Sequence, residues 1–96
     1  MLIVICGTKG NEYIPERKLS ECDWDHTVLS IASGEWTDIC EVQDTSTNSD
    51  VLPRMAREVM TIWADREEPL TDWQRQFIEL NVSVSAANRF ALQAAE

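Results

Sequence analysis

Ninety-six residues carry seventeen carboxylates against eight lysines and arginines, a formal net charge of −9, which is too acidic for the basic footprint of a direct nucleic-acid binder. With 44% hydrophobic and 26% charged residues the chain has the composition of a globular protein, and no apolar run approaches the ~20 residues of a membrane span. The charge is uneven: residues 1–50 hold ten acids against Lys9, Arg17 and Lys18, net −7, whereas residues 51–96 hold seven acids against five arginines, net −2.

The length predicts a single α+β domain over residues 1–96. Leu2 to Cys6 is a continuous β-branched apolar run closed by Gly7, which reads as a strand over 2–6 covered on both faces. It is too short, and lacks the basic flank, to be a secretory signal. Gly7-Thr8-Lys9-Gly10 then reads as a turn leaving that strand, because the spacing of a phosphate-binding loop is absent. Pro15 to Cys22 has a proline and an acid placed to open a short helix.

Alternating stretches His26–Ser33 and Trp36–Asp44 flank Gly34-Glu35, where a glycine at the first central position suits a type II′ turn. The expectation is a central hairpin, about 26–33 and 36–44, with Leu29, Ile31, Trp36, Cys40 and Val42 facing the core. That register also turns Asp38 inward, where it would need Arg54, Arg57 or the Trp36 indole as a partner, or an edge position reached by water.

Residues 44–50 form a polar loop, the expected flexible segment, beyond which the apolar period changes to 3.6. Asp50 is placed to cap a helix over about 50–67, with Leu52, Met55, Ala56, Val59, Ile62 and Trp63 as its apolar stripe. Pro69 ends it at or before Glu68. Thr71-Asp72-Trp73-Gln74 is a capping box opening a second helix over 71–81, striped by Trp73, Phe77 and Leu80. Ser83 or Ser85 caps a third over 84–95, with a narrow face of Ala87, Phe90, Ala91 and Ala94. These three helices are expected to cover a small antiparallel sheet, and most of Trp24, Trp36, Trp63 and Trp73 to enter the core, with one available for an interface.

Chemistry-bearing constellations are incomplete. Cys22 and His26 lie four apart among acids, but Cys6 and Cys40 are isolated, so the four-ligand pattern of structural zinc is missing. His26 is the single histidine and has no evident thiol partner and orienting group, so no catalytic pair is assigned. Three cysteines at spacings of sixteen and eighteen build no disulfide framework, which fits reduced thiols in the cytoplasm. Residues 77–90 resemble a helix-turn-helix in outline, with Asn81 at a left-handed turn position, yet offer only Asn88 and Arg89 as readers of DNA.

The charge asymmetry therefore carries the functional expectation: a non-enzymatic acidic interaction module, with no cofactor or metal, that binds and inhibits a basic, nucleic-acid-binding partner. Phage and mobile-element inhibitors of the anti-restriction or anti-CRISPR type work by that logic. The expected contact residues are Glu21, Asp23, Asp25, Glu35, Glu41 and Asp44. A helix-turn-helix regulator or antitoxin component and a small enzyme subunit with a carboxylate site are the alternatives.

Overall fold

A computed structural model of the chain describes residues 1–66 and 68–95, with side-chain surroundings up to Phe90. The expected helix end at Glu67 and the apolar positions Ala91 and Ala94 lie outside those described residues and side chains. The chain is α+β, with an antiparallel sheet, one early helix and three C-terminal helices. It divides into two compact units, Met1–Leu52 and Pro53–Glu96, so the boundary falls where the charge balance changes.

The first unit holds strands β1 (Leu2–Thr8), β2 (Asn11–Tyr13), β3 (Ile39–Asp44) and β4 (Ser49–Asp50), in the order β2-β1-β3-β4. β1 is the expected N-terminal strand. It buries Leu2, Val4 and Cys6 on one face and half-buries Ile3 and Ile5 on the other, as a strand lined by apolar residues on both sides should. Lys9-Gly10 turns it into β2, with Gly10 at φ 89°. Gly7, at φ 103°, lies so close to Asn11 that an added Cβ would sit 2.3 Å from the Asn11 carbonyl oxygen. Across β3, Ile5 pairs with Glu41 but Cys6 with Ile39, so Cys40 is the extra residue of a bulge.

The first arm of the expected central hairpin is replaced by a helix, α1 (Trp24–Ala32), while the second arm is kept as the shorter strand β3. Thr27, Val28, Ile31 and Ala32 are buried at helical spacing, while Leu29, expected to face the core, is 58% exposed. The Asp23 side chain caps the helix by accepting the His26 N–H at 2.8 Å. Gly34 is the residue after the helix cap, not a hairpin turn: its N–H reaches the Ile31 carbonyl at 3.0 Å and the Glu35 N–H reaches Ser30 at 3.1 Å, a Schellman closure. Both the turn and the helix end require positive φ, here 80°, so glycine alone did not distinguish them.

Two further expectations change. Pro15–Cys22 is a helix only as the single 3₁₀ turn Leu19–Glu21. Residues 44–50 close the β3–β4 hairpin, with the Asp44 Oδ1 receiving the Ser46 N–H and hydroxyl at 2.9 and 2.7 Å, and Asn48 taking the left-handed conformation at φ 54°.

The helical part follows the apolar period closely. α2 (Leu52–Asp65) begins at the last residue of the first unit and buries Leu52, Met55, Ala56, Val59 and Trp63. Asp50 Oδ1 accepts the Leu52 N–H at 3.0 Å and the Val42 N–H at 3.1 Å, securing the helix entry. α3 (Asp72–Asn81) starts with the predicted capping box, Thr71 Oγ1 accepting from Gln74 and Gln74 Oε1 from Thr71. Its buried residues are Phe77 and Ile78, and Leu80, assigned to the stripe, is exposed. α4 (Val84–Ala95) is capped by Ser83, whose hydroxyl accepts the Ala86 N–H at 3.0 Å, and buries Ala86, Ala87 and Phe90. Within the second unit Trp63, Trp73 and Phe77 meet edge to face, with Trp63 5.5 Å from Trp73 and 5.6 Å from Phe77.

Candidate functional site

The acidic first unit contains a shallow hollow of about 610 Å³. Its apolar lining comes from Met1, Leu2, Leu19 and Trp24, with Cys22 beside them, and its charged lining from Asp23 and Asp44. Backbone bonds bring these distant residues together. The Leu2 N–H donates to the Cys22 carbonyl at 3.0 Å, joining the start of β1 to the segment after the 3₁₀ turn. The Thr45 N–H and hydroxyl both donate to the Met1 carbonyl at 3.0 Å, joining it to the β3–β4 turn. Since Leu2 pairs with Asp44, the two share a sheet face.

Both lining carboxylates are held in the ionised form. Asp23 has its pKa lowered, first by the His26 backbone N–H and then by the His26 ring, whose Nδ1 lies 2.9 Å from each carboxylate oxygen. Asp44 is lowered by its bonds from the Ser46 hydroxyl and N–H. Of the other expected contact residues, Glu21 ends the 3₁₀ turn, Asp25 lies in the first turn of α1, and both are exposed beside the hollow's lining segments in sequence. Glu35 is exposed just past α1. Glu41, half-buried on β3, pairs with Ile5 and so belongs to the sheet face opposite Leu2 and Asp44. The structure thus joins Asp23 with Asp44 and sets Glu35 and Glu41 apart from them.

The lysines and arginines of this unit form no direct ion pair with its carboxylates, although the Arg17 charge reaches Asp23 and the N-terminal ammonium reaches Asp44. Among the described residues neither Lys9, Arg17 nor Lys18 lies within 4 Å of a carboxylate, and the Asp23 carboxylate is met by the His26 ring. Arg17 is spent on neutral acceptors: its guanidinium donates to the Leu2 carbonyl at 3.4 Å, to the Thr27 hydroxyl at 2.6 Å and to the Glu21 carbonyl, and lies 5.3 Å above the Trp36 ring. Thr27, fully buried, donates a hydroxyl hydrogen bond to the Asp23 backbone carbonyl at 2.6 Å.

A second cluster gathers at the other end of β1. Cys6 pairs with Tyr13 across β2, and the Tyr13 hydroxyl donates to Asp38 at 2.9 Å. Asp38 is exposed and bound to Tyr13, not to the arginine or indole expected from the hairpin register. Burial, then the Asp38 charge, pushes the Cys6 thiol up to about 11. Cys40, expected to face the core, is exposed; its thiol donates to the Ile5 carbonyl and is pushed up by desolvation and then by Glu12 and Glu41. These are protonated thiols with poor nucleophilicity at neutral pH. Cys22 donates to the Lys18 carbonyl at 3.4 Å while His26 binds Asp23, so the Cys22/His26 spacing serves local backbone structure. Among the described residues no three His, Cys, Asp or Glu side chains converge as metal ligands do.

In the second unit α3 and α4 are joined through Val82-Ser83, but Asn81 remains helical and donates to the Phe77 carbonyl at 3.0 Å, so it does not take the left-handed position. Of the apolar lining, Met1 and Leu19 were missed by sequence reasoning and Trp24 was named only as one of four indoles open to an interface; the Asp23-Trp24-Asp25-His26 string was available as a helix start and would have placed Trp24 beside a capping carboxylate. Comparison with protein-family models, curated proteins and solved structures returns no match to this chain. Among the described residues no helix is long and apolar enough to cross a membrane.

Proposed function

We propose that this chain is an acidic interaction module that docks on the cationic, nucleic-acid-binding surface of another protein and inhibits it by occupying that surface. One observation carries the proposal: the unit Met1–Leu52 has a net charge of −7, from ten acids and three cations, and none of those cations is paired with a described carboxylate. Fixed uncompensated charge raises the encounter rate with a basic surface and repels nucleic acid itself. Inhibition then follows from competition, since phosphates and these carboxylates seek the same lysines and arginines. Restriction and CRISPR complexes present such surfaces, which is why the anti-restriction and anti-CRISPR classes belong to the proposal. The three free thiols suit a reducing cytoplasmic setting.

The test is to capture partners with the intact chain, crosslink carboxylates to lysines, and identify both ends by mass spectrometry. The expected result is a basic nucleic-acid-binding protein crosslinked to acids of residues 1–52 and released by added DNA or RNA. A partner crosslinked only to acids of residues 53–96, or one that binds nucleic acid and this chain at once without competition, contradicts the proposal.

A further inference from the structure

Resting on that reading, we propose that the hollow between the start of β1, the 3₁₀ turn and the β3–β4 turn is the docking groove for a partner segment in which an arginine or lysine is flanked by a bulky apolar side chain. The lining has two characters that demand different things of an occupant. Leu19 is 78% exposed and Met1 54%, an uncovered apolar surface beside half-buried Trp24 that gains from contact with apolar atoms. Asp23 and Asp44 add two ionised carboxylates to the same lining.

An apolar segment without charge would strip water from two ionised carboxylates and offer them no new polar partner, which is unfavourable. A cationic arm without apolar side chains would leave Leu19 and Met1 in water. A segment with both satisfies both, and the aliphatic stem of arginine or lysine itself covers apolar surface while its head reaches a carboxylate. The volume, about 610 Å³, lies within the range of sites that take small ligands or a few side chains.

The groove is tested with the intact ¹⁵N-labelled protein and three short synthetic peptides: one alternating leucine and arginine, one with glycine in place of leucine, and one with glutamate in place of arginine. The leucine–arginine peptide should shift the backbone signals of Leu2, Leu19, Cys22 and Ser46 and the Trp24 indole, saturably, and the other two should bind at least about five-fold more weakly. Two variants keep the fold while altering the groove. Asn caps a helix as well as Asp, so Asp23→Asn with Asp44→Asn removes charge and keeps the acceptors. Leu19→Ser changes an exposed side chain. Each should weaken the peptide about five-fold, whereas Glu68→Gln with Glu79→Gln, which removes equal charge from the second unit, should leave binding within about two-fold. Equal losses for the groove and control pairs, or equal binding of the glycine peptide, would overturn the groove while leaving the acidic module standing. No shift with either basic peptide, together with failure of the crosslinking test, would overturn both.

Discussion

Cys6 shows most directly how position sets chemistry in this chain. It is fully buried on β1, across from Tyr13 and close to the Asp38 carboxylate, and each of burial and that negative charge disfavours the thiolate. Its pKa is raised from 9.0 to about 11, so the native state binds the proton more tightly than the unfolded chain. The stability this contributes is complete below pH 9 and is lost as pH rises through about 11. Denaturation midpoints of the parent and of Cys6→Ala, measured at pH 8, 9.5 and 11, should show a steeper alkaline fall in the parent. At pH 8 iodoacetamide should leave Cys6 unmodified in the folded protein and alkylate it after unfolding. Rapid native alkylation of Cys6 would mean that the strand is not covered as described.

At the scale of elements, caps and apolar stripes decide where helices run. Thr71→Ala removes the acceptor of the α3 capping box and should cost about 1 kcal/mol in denaturant unfolding. An unchanged midpoint would place the start of α3 elsewhere. The phase of α3 is tested by a pair: Ile78→Ala should cost about 2–5 kcal/mol because Ile78 is fully buried, and Leu80→Ala less than about 0.5 kcal/mol because Leu80 is exposed. α2 and the caps at Thr71 and Ser83 were legible in the sequence because a fourteen-residue stripe and a paired capping box leave little room for another period. α1 was not. Thr27, Leu29 and Ile31 alternate well enough for a strand, while Thr27, Val28, Ile31 and Ala32 make a helical face of only nine residues. The Asp23 side-chain cap and the backbone Schellman closure at Gly34 settle that tie, and apolar pattern encodes neither.

Across the whole molecule, charge was readable and its surroundings were not. The counts of acids and cations place the excess in residues 1–50 without any structure, and the unit boundary at Leu52 matches that division. The hollow was invisible because Met1, Leu19, Trp24 and Asp44 are brought together by bonds between segments as much as 44 residues apart. Arg17 likewise counts only as a positive charge in the sequence, whereas the fold sets its guanidinium against carbonyls, a hydroxyl and an indole, so that it acts on Asp23 through space without pairing with it.

The central claim is that uncompensated acids of the first unit drive association with a basic partner. It is tested most directly by measuring the affinity of that partner, once crosslinking has identified it, as a function of salt for three proteins. In one, Asp23, Asp25, Glu41 and Asp44 are replaced together by their amides; in a second, Glu67, Glu68 and Glu79 are replaced by Gln; the third is the parent, with circular dichroism confirming that all are folded. Charges on a surface act over about a Debye length, ~8 Å at physiological salt, so the first variant should bind more weakly and lose much of its salt dependence. The second should bind nearly as tightly as the parent, with the same salt slope. If the second variant loses more affinity than the first, the helical unit is the working surface and the claim is wrong.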